Sequence, residues 1–171
     1  MSVKRQRGSS LVEFTFVGIP VLFVLISTFE MARGMWIYAT LAHAVRDGAR
    51  YAIVHGNNCA VRPHQCVVTV GTVAGRIRDA GAGLEPEQVT VTLRSVSGGS
   101  VITTIGPASL SSLLGNGTAF PAGPGSVPGN DVEVRASYPF RSAIVMYWPG
   151  SSGKEFGAVE LSASSRDKIQ F

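Results

Sequence analysis

A run of about 19 residues, LVEFTFVGIPVLFVLISTF (11–29), is apolar apart from Glu13 and a few small hydroxyl side chains. As an α-helix it would be about 28 Å long, close to the thickness of a bilayer's hydrocarbon layer. Lys4, Arg5 and Arg7 precede it, with no acid before Glu13. That asymmetry predicts a membrane-spanning helix whose N-terminal end stays in the cytoplasm and whose C-terminal bulk lies outside. The same three residues account for most of the formal net charge of +4, so the rest of the chain is nearly neutral. A nucleic-acid-binding module would gather its basic residues on one folded face, so no nucleic-acid partner is expected.

The helical pattern continues past the apolar run. From Glu30 to about His55 there is no Pro, and Met31, Met35, Tyr38, Ala42, Val45, Ala49 and Ala52 recur at three- and four-residue steps. That spacing predicts an amphipathic stripe, with Arg33, Arg46, Asp47 and Arg50 off it. HGNN (55–58) supplies a helix stop. The expectation is one long helix over 9–56, its spanning half at about 11–29, bent near Gly18 and Pro20.

The remainder, 57–171, reads as a β-rich extracytoplasmic domain. A short helix is expected over 67–80, and period-2 strands at 88–96, 100–105, 131–140 and 158–165, with Gly98-Gly99 turning the first pair. A Gly/Pro/Ser-rich loop runs from about 106 to 130. No charged residue occurs from Ser95 through Asn130. That stretch reads either as a flexible neutral loop with Leu110, Leu113, Leu114 and Phe120 tucked beneath it, or as a surface that packs against neighbouring subunits or other surfaces. The fold class is therefore α+β: a long N-terminal helix, membrane-spanning then amphipathic, packed on a small antiparallel sheet.

Cys59 and Cys66 lie beyond the apolar segment, where an exterior environment permits a disulfide. Closing so short a loop would remove about 2–3 kcal/mol of unfolded-state entropy. Two unpaired thiols, or a metal site completed by His55 and His64, are the alternatives; the spacing matches no common zinc pattern, and no metal is expected.

The most informative string is KRQRGSSLVEF (4–14): basic residues, a Gly, an apolar run, and a carboxylate five positions beyond that Gly. A lone carboxylate in a membrane helix costs about 2–3 kcal/mol or more, so such groups are usually paired and functional. Cleavage after Gly8 would leave a free amine on Ser9, about one helical turn from Glu13, in the same chain or a neighbour. The alternative is that Glu13 sits at headgroup level and snorkels.

These residues resemble the prepilin signal of the type IV pilin superfamily, a basic leader (1–8) ending in Gly followed by an apolar helix with Glu at its fifth position. Glu13-Phe14, FEMARGMW (29–36) and LAHAVRDGARYA (41–52) are similar to TadE-like proteins, the minor pilins or pseudopilins of tight-adherence pilus systems. The resemblance covers roughly residues 4–56. It implies a pilin-like, non-enzymatic subunit of the bacterial inner membrane that supports pilus biogenesis and surface adhesion. The implied partners are a prepilin peptidase, other pilins or pseudopilins, an inner-membrane assembly platform and its ATPase. Gly8 and Ser9 are the implied processing residues and Glu13 the assembly residue. Phe14 departs from some major pilins, which carry Tyr there.

Rival readings are weaker. G-x-S-x-G and H-E-x-x-H are absent, and GSSGKE (150–155) lacks P-loop spacing, so neither an enzyme nor a cofactor is expected. His43 and His55 read as helix-surface residues. The aromatic stretch 138–150 could serve a soluble ligand, but packing against the amphipathic helix explains it more simply. An unprocessed single-pass periplasmic scaffold is the principal alternative. Non-reduced peptide mapping of protein from its native compartment should link Cys59 to Cys66; two freely alkylated thiols would refute the pairing.

Overall fold

The computed structural model describes residues 9–55, 68–142 and 158–170. Gly8, Cys59, His64, Cys66 and the aromatic residues between 143 and 150 lie outside the described residues, so the disulfide and cleavage-site expectations are not addressed by it. The architecture is α+β. A 46-residue helix, α1 (Ser9–Val54), runs unbroken through Pro20 and leads into α2 (Val70–Ala80). Strands β1 (Thr90–Ser97), β2 (Ser100–Ser109), β3 (Asp131–Arg141) and β4 (Ala158–Lys168) follow, with α3 (Leu110–Leu113) and a 3-10 turn at Gly123–Ser126 between β2 and β3. The four strands form one antiparallel sheet in the order β2-β1-β3-β4.

Strand alternation decides which face is sealed. Val91 and Leu93 of β1 and Val132, Val134 and Ala136 of β3 are buried. They meet Leu41, Ala44, Val45, Ala49 and Ala52 of α1 and Val73, Ala74 and Ile77 of α2 in one core. Thr90, Thr92, Arg135 and Ser137 occupy the opposite face, as a period of two requires. The β1–β2 turn needs positive φ at both central positions, and Gly98 (+56°) and Gly99 (+86°) supply it without a Cβ clash.

α2 starts where its cap permits. Thr69 Oγ1 accepts from the Thr72 amide at 3.2 Å and Thr72 Oγ1 accepts from the Thr69 amide at 3.0 Å, a reciprocal capping box. The helix expected from 67 therefore begins at Val70.

The neutral stretch is more ordered than its composition suggests. Its first residues, Gly106–Ser109, extend β2, so the strand expected to end at 105 reaches 109. Leu110, Leu113 and Phe120 are buried and Leu114 packs against the core. The amides of Val70 and Gly71 donate to the carbonyls of Thr118 and Asn116, each at 2.8 Å, and the Phe120 amide donates to Val68 at 2.9 Å. Those bonds tie the segment to the start of α2. The apolar side chains are tucked in as expected, but backbone pairing pins the segment where a flexible loop was expected.

The stripe on α1 needs correction. Val45, Ala49 and Ala52 are buried as expected, but Met31, Met35 and Tyr38 are exposed. The covered line instead runs through Glu30, Gly34, Leu41, Ala44/Val45, Gly48/Ala49 and Ala52. Close packing selects the phase, because small residues admit the neighbours and long ones do not. At Gly48 a Cβ would lie only 2.5 Å from Cγ1 of Ile77 in α2. Gly48→Val should therefore destabilise the domain by about 1–3 kcal/mol through overpacking, read as a lower denaturation midpoint of the detergent-solubilised chain. Adding Ile77→Val should recover part of the loss, and an unchanged midpoint for Gly48→Val would contradict the close approach.

Candidate functional site: the bare half of the long helix and its seat on the sheet

Among the described residues, most of the first half of α1 is uncovered. Leu11, Val12, Phe14, Phe16, Val17, Leu22, Val24 and Leu25 are all exposed. Among the described residues this is one helix long and apolar enough to cross a membrane. Exposed apolar surface of that extent is untenable in water and natural in lipid. Thr15 and Thr28 return their hydroxyls to the carbonyls of Leu11 and Val24, each at 2.8 Å, so these polar groups are satisfied within the helix.

Glu13 lies in this bare stretch. It is exposed, flanked by Leu11, Val12, Phe14 and Phe16, and one turn beyond Ser9, the first residue of α1. Four residues of helix separate the two positions by about 6 Å along the axis.

Coverage begins abruptly at the next charged residue. Phe29 is 71% exposed and Glu30 only 8%. The end of β3 seats here: the Phe140 ring lies 3.6 Å from where a Cβ on Gly34 would stand, ordinary van der Waals distance. Arg33 closes the joint. Its guanidinium donates to the carbonyl of Arg141, stands 4.9 Å from the Phe140 ring centre and lies 3.7 Å from the Glu30 carboxylate. A planar guanidinium can serve a ring face, a carbonyl and a carboxylate together, which an ammonium cannot. Phe140 is buried yet separate from the main core, so this is a second, smaller contact between helix and sheet.

The remaining sites expected from the sequence are scattered. His43 is exposed on α1 and His55 is exposed just past its end, stacked on Tyr51 at 4.6 Å between ring centres. The open face of the sheet carries a shallow depression of about 480 Å³ lined by Thr90, Thr92, Arg135, Ser137, Glu160 and Ser162. No imidazole or thiol stands among these lining residues to activate a hydroxyl. Sequence reasoning missed the joint of Glu30, Arg33, Gly34 and Phe140. The i, i+3 spacing of Glu30 and Arg33 was a usable signal, but their partner lies over a hundred residues away.

Residues 8–50 match the family model described as TadE-like protein. The N-terminal segment is TadE-like. The matched stretch takes in Glu13, the bare half of α1, and the joint residues Glu30, Arg33 and Gly34, and it supports a protein associated with the tight-adherence pilus system. No curated protein and no solved structure matches the chain.

Removing the Arg33 side chain should loosen the seat without unfolding the core. For Arg33→Ala we expect the amides of Tyr138 to Arg141 to lose protection from hydrogen exchange, by the about 1–2 kcal/mol that one hydrogen bond and one cation–π contact supply. Amides of Val91 to Leu93 should be unchanged. Equal loss in both segments would mean that the joint is not a separate unit.

Proposed function

We propose that this TadE-like chain is an assembly subunit, a minor pilin or pseudopilin, of a tight-adherence pilus in the bacterial inner membrane. The observation that carries the reading is the bare apolar helix with one carboxylate near its start, whose second half is packed into a folded domain. The family match over residues 8–50 supports it.

In this reading residues 1–8 form a leader that a prepilin peptidase removes after Gly8. Residues at about 11–29 span the membrane, and 57–171 remain outside. A carboxylate is tolerated within an apolar helix when a cation meets it, and the Ser9 amine supplies one after cleavage. Pairing between Glu13 and the Ser9 amine of a neighbouring subunit would set the axial register of one helix against the next. The assembly platform, its ATPase and other pilins or pseudopilins are the partners that this role requires. An unprocessed scaffold would share the span and the domain but would need neither Gly8 nor Glu13.

Two substitutions separate the readings. Gly8→Leu should block processing, because a tight peptidase subsite that accepts hydrogen has no room for an isobutyl group; the immunoblot should show only the longer form in cells carrying the peptidase. Glu13→Gln keeps shape and removes charge, so mature protein should persist at normal abundance while surface adhesion falls severalfold. Normal processing of the Gly8→Leu chain would favour the scaffold. Wild-type adhesion by the Glu13→Gln strain would make Glu13 a headgroup-level residue rather than an assembly contact.

A further inference from the structure

The two sides of α1 change character at different heights. On the side facing the sheet, coverage begins at Glu30 and continues through Gly34 and Leu41. On the opposite side, Phe29, Ala32, Trp36 and Ala39 follow one another at three- and four-residue steps with Met35 beside Trp36, and all are exposed. Met35 is 68% and Trp36 69% exposed. The first titratable residue on that side is His43, and Arg46, Asp47 and Arg50 follow, exposed as well. An uncharged outer line therefore continues from the spanning segment about 15 Å past Phe29 before it turns polar.

The charge that would have interrupted this line is turned away from it. Arg33 lies within the same stretch, yet its guanidinium is committed to the Arg141 carbonyl, the Phe140 ring and Glu30 on the domain side. The joint thus does two things: it anchors the sheet, and it keeps the outer face free of charge between Phe29 and Ala39.

We infer that this outer face, centred on Trp36, rests in the interfacial layer of the lipid bilayer, so that α1 leaves the membrane tilted with the domain on its upper side. The inference rests on the membrane-spanning reading of α1 and adds where the membrane ends on each side of the helix. Three features favour lipid as the occupant. The face is continuous with the exposed spanning segment, with no charged residue between them. Its indole has an apolar body and a single polar N–H, the combination that favours the headgroup boundary. Beyond it stand Arg46 and Arg50, whose long side chains suit lipid phosphates above an apolar floor.

The lengths accommodate such a tilt. Leu11 to Ala39 is about 42 Å of helix, against about 30 Å of hydrocarbon and about 40–45 Å with both interfacial layers. A helix about 10 Å wide, inclined within the usual range of about 0–40°, lowers one side relative to its axis. Leaning towards the Trp36 side brings that face down to the headgroups while Glu30 and the sheet stay above them.

The test uses the full chain in vesicles of phosphatidylcholine and phosphatidylglycerol. In a Trp148→Phe background, Trp36 is the only indole, since the chain has two tryptophans. Its emission should be quenched severalfold more by lipids brominated near the headgroup end of the acyl chain than by aqueous iodide. A second chain carrying Leu22→Trp, Trp36→Phe and Trp148→Phe reports the spanning segment, and should be quenched by bromine near the chain terminus. If Leu22→Trp is quenched deeply but Trp36 answers to iodide, the spanning reading stands and the inference falls. If neither bromine nor iodide reaches Trp36, the face is covered by protein, which also overturns it. If the Leu22→Trp indole itself escapes deep bromine, the membrane reading of α1 has failed first.

Discussion

One continuous helix passes from a bare apolar half to a packed half, and on the side facing the sheet the change-over falls within a single turn. Up to Phe29 nearly every side chain of α1 is apolar and unpacked; from Glu30 onward one side is covered by protein. Backbone hydrogen bonding carries the helix through the transition, because each residue is paired within its own strand of chain whichever medium surrounds it. The side chains then decide position. The Phe140 ring seats against Gly34, and Arg33 bridges ring, carbonyl and carboxylate, so the sheet is held directly at the end of the apolar run. Displacing that seat by a turn would strand Glu30 without its covering or press the sheet's end into the apolar stretch.

Further along, the helix joins a conventional core. Small residues at Ala44, Gly48, Ala49 and Ala52 bring α1 close to α2, with Ile77 filling the space left by the missing Cβ of Gly48. The segment before β3 completes the enclosure by placing Phe120 in the core and pairing its backbone with the entry to α2. A stretch of 36 consecutive uncharged residues, Ser95 through Asn130, is thus largely structural. Its neutrality follows from what lies beneath it: Leu110, Leu113 and Phe120 are buried, and ionised neighbours there would need partners that the core does not provide.

The two contacts between helix and domain, the core and the Phe140 seat, have a mechanical consequence. A single contact acts as a hinge, whereas two contacts separated along the helix resist rotation of the domain about it. An axial displacement of α1 is therefore transmitted to the sheet at two places along the helix. The TadE-like match spans the helix as far as residue 50, taking in the helix side of the seat but none of the strands.

The sequence alone determined the long apolar helix, the strand alternation and the Gly98-Gly99 turn. Each depends on periods and side-chain types set within a few residues. The same holds for the position of Glu13 one turn into the helix and for the resemblance carried by residues 4–56. Tertiary structure decided the phase of the covered stripe. Met31, Met35 and Tyr38 have the spacing of a core face, but Glu30 and Gly34 occupy it, because the approaching surface is the end of β3 and a ring fits against hydrogen better than against a thioether. It likewise decided that the Gly/Pro-rich segment is pinned rather than loose and that Arg33 points away from the bare face. Those outcomes require residues over a hundred positions apart to meet, and hydrophobic periodicity within one helix carries no information about which neighbour arrives.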